Sequence, residues 1–450
     1  VFNRIIFLVM LFLVAVSAPL SRASANNMSM IRDAEVENTI RAYATPLLEV
    51  AGIDPQSVSI YLVKDNRLNA FVAGGLNVFF NTGLLMRAEA PEQVIGVLAH
   101  EIGHMAGGHL SRLHDAAGRA TAESIVAMVL GAAATMATGR GDVGAAVIMG
   151  GQHAAQRNFL SHTRAQESAA DQAAVNYLDA TGQSARGLLR FMEILEGQDL
   201  LQTERQDPYV RTHPLTRDRI DFLRAHVARS PHSDAPSRPG YEEMHERMRA
   251  KLYAFLESPV RTLRRYPETD TSFVARYAQA IAYYRRPDLG RAIPLIDELI
   301  AERPEDPYLH ELKGQMLFEN GRAEEALAPY REAVRLLPHP LLQISLAQVQ
   351  IELGTPDMLE EARQNLSNAL KIEGDNGFAW RLYATALGRL GEEGLAAYAM
   401  AEHALLGQRL PEAAYYANRA EQLLPQSSPT WLRTQDIKAE TERLRENQKR

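Results

Sequence analysis

A 34-residue period constrains this chain more than any other feature. Ala280, Ala292 and Pro304 recur 34 positions later as Gly314, Ala326 and Pro338. Tyr330 and Ala333 fall at further places expected in the second helix of such a unit. Small residues at fixed positions let paired helices approach closely and stack on their neighbours. A generic helical bundle would not produce three coincidences at one period.

Helix-turn-helix units of this length are the signature of tetratricopeptide arrays. Ala347, Ala362, Leu366 and Ala369 continue the pattern past a short insertion, Gly354-Thr355-Pro356. Trp380 and Ala384 open another unit, and Ala413, Ala417, Ala420 and Pro425 fit the second half of a last one. The array is assigned to residues 269–446, an all-α superhelix whose concave groove would dock peptides or partner proteins. Residues 229–268 read as a Ser/Pro/His-rich linker and a connecting helix around 243–257.

The first half has a different texture. Residues 34–50 have helical spacing, with Pro46 as a kink or break. Residues 57–63 alternate and are β-rich, and 69–72 and 76–81 are two further short strands joined through Gly74-Gly75. A long helix is expected over 92–110, then a Gly/Ala/Met-rich stretch over 118–151, then helices over 163–181 and 185–196. This is an α+β domain, a small sheet plus helices, assigned to residues 26–228.

Composition bounds function only loosely. The net charge of −7 argues against a nucleic-acid partner. Cys is absent, which excludes disulfides, thiolate metal sites and cysteine nucleophiles. At the N-terminus, Arg4 precedes an uncharged, mostly apolar run over residues 5–18, and Ala23-Ser24-Ala25 offers small residues at a cleavage site. Residues 1–25 therefore read as a secretory signal peptide, against the alternative of a retained anchor. Its removal takes away two Arg and no acid, leaving the mature chain at −9. No later segment has the length and apolarity of a membrane span, so the mature chain is expected to be soluble or peripheral.

The chemistry-bearing motif is His100-Glu101-Ile102-Gly103-His104. His residues four apart on a helix project from one face and suit Zn²⁺. Glu101 lies at the rim of that face, where its carboxylate can reach a water beside the metal and act as general base. His109 falls one place short of the metzincin spacing, which would need a His at position 110, occupied by Leu110. On a helix that simply continued, His109 would point away from His100, so it is set aside as a ligand. Glu167 is the better third ligand, on an Ala-rich helix with Asp171 four residues on. Asp171 would accept the outer N–H of a ligand His and fix its tautomer. Two His and one Glu leave a fourth position open, as a catalytic site requires.

Together, the His-Glu-Ile-Gly-His segment, Glu167-Ser168-Ala169-Ala170-Asp171 and Thr212-His213-Pro214 resemble the gluzincin peptidase family. Asn69-Ala70-Phe71-Val72, Gly74-Gly75 and Gly83-Leu84-Leu85 also match the pattern upstream of its zinc helix. With a signal peptide and a repeat array, the mature chain is similar to the periplasmic, repeat-bearing type of that family. The resemblance implies a zinc-dependent endopeptidase binding one Zn²⁺ through His100, His104 and Glu167, located in the periplasm or peripherally at the outer membrane. It further implies that the repeats engage unfolded or misassembled outer-membrane proteins and their assembly machinery. A chaperone-like binding module with a latent or minor peptidase is the alternative.

Three points stay open in the sequence. His213 could donate to the tetrahedral intermediate, occupy the fourth metal position and hold the enzyme latent, or merely start a helix before Pro214. Residues 76–81 could be an exposed edge strand that receives an extended substrate, or a core strand. Residues 118–151 could be a mobile cover over the site, or a packed helical hairpin turning at Arg140-Gly141-Asp142.

Overall fold

A computed structural model describes residues 29–138, 141–196 and 207–449. The signal-peptide assignment lies outside these residues. The described residues divide into two compact units, 29–32 with 39–242 and 33–38 with 243–449.

The first unit holds a four-stranded sheet in the order β1-β2-β4-β3, built from β1 (Met30–Ile31), β2 (Ser59–Val63), β3 (Ala70–Ala73) and β4 (Asn77–Asn81). Gly74 and Gly75, both at positive φ, turn β3 back antiparallel onto β4. β2 instead runs parallel to β4, with Ile60 opposite Val78 and Leu62 opposite Phe80. Those four side chains point inward and are buried, whereas Tyr61, Phe79 and Phe71 stack across the other face at 4.9–5.1 Å. This order corrects the edge-strand expectation for residues 76–81. Flanked by β2 and β3, β4 is interior, and the outer strands are β1 and β3. The physical reason is the parallel β2–β4 pairing, which steps over the hairpin partner.

Helix α1 (Ala34–Val50) runs unbroken through Pro46. Proline removes the N–H that would bond the Ala42 carbonyl. That carbonyl accepts from the Tyr241 hydroxyl at 2.7 Å instead, and the Tyr43 hydroxyl donates back to the Tyr241 carbonyl. After the short α2 (Thr82–Arg87) comes α3 (Pro91–Ala106), opened by Pro91 with the Gln93 side chain accepting from the Ala90 N–H. Residues Val94, Ile95, Val97, Leu98, Ala99 and Ile102 are all buried, so this helix is apolar on nearly every side, as befits the centre of a unit.

The expected single helix over 92–110 is two. α3 ends at Ala106, Gly108 takes φ +59°, and α4 (His109–Thr138) begins. α5 (Gly141–Ala180) starts well before the expected position 163 and pairs with α4 as a long hairpin. At Gly151 an added Cβ would fall 2.3 Å from the Ala127 Cβ, so small residues set the spacing of the two helices. The described part of the Gly/Ala/Met stretch is thus a pair of packed helices, on which Ile125, Val126, Met128, Val129 and Leu130 are exposed, and Arg140 of the expected turn lies outside the described residues. Among the described residues, no helix is long and apolar enough to cross a membrane. The unit closes with α6 (Arg186–Leu195), α7 (Pro208–Thr212) and α8 (Arg217–Val227).

The second unit is helical throughout its described residues. α9 (Tyr241–Leu256) and α10 (Pro259–Arg265) lead into α11 (Phe273–Arg285) and α12 (Leu289–Glu302), then α13 (Pro307–Phe318) and α14 (Ala323–Leu336). α15 (Pro340–Leu353) and α16 (Pro356–Leu370), α17 (Gly377–Arg389) and α18 (Glu393–Leu406), and α19 (Leu410–Leu423) and α20 (Pro429–Lys449) continue the alternation. The period has a visible cause. A Cβ on Gly314 would lie 2.6 Å from the Tyr330 ring, so the aromatic of one helix needs the small residue of its partner.

Candidate metal centre

The site forms where α3 and α5 touch. An added Cβ on Gly103 would lie 2.9 Å from the Ala170 carbonyl oxygen, so the helices approach almost backbone to backbone. This closeness sets His100 and His104 of α3 opposite Glu167 and Asp171 of α5. His100 Nε2 and His104 Nε2 are 3.0 Å apart, and the Glu167 carboxylate lies 3.3 Å from the former and 3.4 Å from the latter. His213 joins them, with Nδ1 3.3 Å from Glu167. One donor atom from each of these four residues lies within 4.8 Å of the others, and His100, Glu167 and His213 are buried. Three imidazoles and a carboxylate converging in a largely buried site are a donor set that could hold a divalent transition metal.

Around the donors stands a second layer. Asp171 Oδ1 is 2.9 Å from His100 Nδ1, the nitrogen facing away from the cluster. His104 is held likewise by His109, Nδ1 to Nδ1 at 2.9 Å. Arg219 bridges the layers: its Nε and Nη2 donate to Asp171 at 2.6 and 2.9 Å, and Nη1 lies 3.0 Å from Glu167 and donates to the Pro214 carbonyl. Tyr209 stacks on His213 at 4.5 Å and meets Phe191 edge-on.

Electrostatics follow from this layout. Burial works against charge on His100, but Asp171 and Glu167 outweigh it and push its pKa up to about 9. His104 is pushed down to about 3, chiefly by burial. Burial resists the charge on Asp171, yet the bonds from Arg219 and His100 hold it below the usual carboxylate range, and Glu167 is lowered more strongly by its three histidines. Glu101 is the exception. It is buried and pushed up by desolvation, and His213 Nε2 lies 3.5 Å from its carboxylate. A carboxylate of raised proton affinity beside the donor cluster can take up and release a proton there.

The six residues singled out by sequence therefore lie together: His100, His104, Glu167 and His213 converge, Asp171 backs His100, and Glu101 faces His213. Pro214 does not start a helix. α8 begins at Arg217, so His213-Pro214 sits in the connector after α7. The start of α7 is anchored because the Leu68 N–H donates to Asp207 and the Tyr209 N–H reaches the Leu68 carbonyl, and the Pro214 carbonyl accepts from Arg219. His109, set aside as a ligand, sits beside His104 because the chain turns at Gly107-Gly108 and leaves the helical path. Arg219 and Tyr209 carry no sequence signal, because their roles come from packing between distant segments.

Residues 31–227 match the family model of peptidase family M48, and residues 277–339 match that of the tetratricopeptide repeat. The chain carries an M48 peptidase domain followed by tetratricopeptide repeats. M48 enzymes are metal-dependent, in keeping with the donor cluster within the matched residues. The chain is 25% identical over 371 residues to the beta-barrel assembly-enhancing protease of Yersinia pestis, covering 78% of this chain and 72% of that protein. It is 24% identical over 396 residues to the protein of the same name from Escherichia coli K12, covering 85% and 78%.

Proposed function

We propose that this M48 protein is a zinc endopeptidase of the periplasm that degrades misfolded outer-membrane proteins or assists their assembly, with the repeats as docking surface. The observation that carries the reading is the convergence of His100 Nε2, His104 Nε2 and a Glu167 oxygen beside Glu101, within an M48 domain. The relatives' names support the substrate class, and the reading of residues 1–25 as a signal peptide supports the compartment.

Zinc held by His100, His104 and Glu167 would act as Lewis acid toward water and the scissile carbonyl. Glu101 takes the proton from the attacking water and passes it to the leaving amine. Its raised proton affinity brings it nearer the working pH than an ordinary carboxylate. Asp171 keeps His100 oriented, and Arg219 fixes Asp171 and Glu167 in one rigid group. In the mature protein, zinc content and cleavage of an unfolded β-barrel protein should be measured beside Glu101→Gln. Equal cleavage by both zinc-loaded proteins would sink the catalytic assignment.

His213 favours a second reading for the resting enzyme. With Nδ1 3.3 Å from Glu167, it is close enough to fill the fourth metal position, which would leave the peptidase latent while the repeats bind clients. Faster cleavage by His213→Ala supports latency, whereas slower cleavage supports a role in stabilising the transition state.

A further inference from the structure

We infer that His109 is a positioning residue whose Nδ1 accepts the Nδ1–H of His104 and so aims His104 Nε2 at the metal. The inference rests on the metal-site reading above. A neutral imidazole has one proton; to offer Nε2 as a ligand it must carry that proton on Nδ1, and the proton needs an acceptor. His100 has Asp171 for this. His104 has His109, whose Nδ1 lies 2.9 Å away with the two rings nearly perpendicular at 80°.

The backbone is built to bring His109 there. A continuing α3 would carry position 109 round to the far side of the helix. Gly107 caps α3, and Gly108 at φ +59° turns the chain through a left-handed conformation that favours glycine. Gly107 also has to be small: an added Cβ would lie 2.4 Å from His109 Nε2. On the opposite side, the Gln166 side chain donates to the His109 carbonyl at 3.3 Å. Gln166 precedes Glu167, so the same stretch of α5 presents one candidate ligand and braces the partner of another.

The pairing also makes the two histidine ligands unequal. A carboxylate strengthens the lone pair of His100, whereas a neutral imidazole orients His104 with little added basicity. Loss of His109 should therefore loosen zinc without abolishing the site.

The test uses the full mature chain and zinc itself, titrated against a chromophoric chelator. His109→Phe keeps bulk but removes the acceptor; His109→Asn places a carbonyl oxygen close to where Nδ1 sits. Zinc affinity should fall about 10- to 100-fold in His109→Phe and recover largely in His109→Asn, with the zinc-free proteins melting alike. Gly107→Ala, which displaces the ring without changing its chemistry, should weaken zinc as His109→Phe does and serves if that variant does not fold. Unchanged affinity in His109→Phe, or an Asn variant as weak as Phe, overturns the role of His109 alone. A parent protein that holds no zinc overturns the metal-site reading and this inference with it.

Discussion

Each unit of this protein buries a cluster of charged and polar side chains, and the two clusters are organised on opposite principles. In the M48 domain, His100, His104, Glu167 and His213 turn donor atoms toward one point, and Asp171, His109 and Arg219 hold the donors in place. In the repeat unit, charges alternate. Glu35 meets Arg247 at 2.8 Å, Lys251 at 3.3 Å and the Tyr277 hydroxyl at 2.7 Å, while Lys251 also meets Asp33 at 2.8 Å and Arg247 pairs with Asp306. There the acids gather around cations already in place, Lys251 and Arg247, and leave no set of lone pairs facing one another. Buried charge alone therefore does not mark a functional site; what distinguishes one is lone pairs aimed at a common point.

The largest expected effect separates chemistry from packing within the first cluster. Glu101→Gln should keep zinc and fold but lose about 10²- to 10⁴-fold in kcat, the range of a general base. Single-turnover cleavage with matched zinc content measures it. Next comes the converse in the repeat unit. Glu35→Gln removes the carboxylate shared by Arg247 and Lys251, which keep Asp306 and Asp33, and should destabilise that unit by about 3 kcal/mol, the low end for a broken buried pair, while zinc binding is unchanged. Both tryptophans of the chain, Trp380 and Trp431, belong to the repeat unit, so their fluorescence follows its melting separately. A Glu35→Gln protein that melts as the parent does would show the alternating cluster to be dispensable.

Zinc removal sharpens the contrast from the other side. A ligand at 100 times its Kd stabilises the state that binds it by about 2.7 kcal/mol. Chelation should therefore lower the melting of the M48 domain, followed by proteolysis within residues 39–242, and leave the tryptophan transition in place. Movement of both transitions together would mean that the metal supports more than its own unit.

How much of this was legible in the sequence depends on how local each feature is. The pairs His100/His104 and Glu167/Asp171 are four apart on helices, and a helix fixes which residues share a face. The repeat was legible because small residues and a closing proline recur at one period, Ala280 with Gly314, Ala292 with Ala326 and Pro304 with Pro338. Sheet order was not, since parallel pairing of β2 with β4 is decided by packing rather than by either strand's pattern. The place of His109 was not, because the helix ends at Gly107 and the chain turns at Gly108 with no periodicity to mark it. Arg219 lies 48 residues from Asp171 and Arg247 lies far from Glu35; no periodicity connects them.

The smallest effect concerns Glu311 in the alternating cluster, the acid with the poorest partner. Lys251 is 3.8 Å away and already engaged with Asp33 and Glu35. Burial pushes the Glu311 carboxyl up to about 7 against the pull of Lys251. Its folded pKa is thus above its unfolded value, so the folded state binds the proton more tightly. The resulting stability is fully present below the ordinary glutamate range and is lost as pH rises through about 7. The tryptophan-monitored melting temperature of the repeat unit should fall between pH 5 and pH 8, and Glu311→Gln should flatten that fall while leaving Glu35 and its partners intact. An equally steep fall in Glu311→Gln would assign the pH dependence to another group and place Glu311 among the well-paired acids.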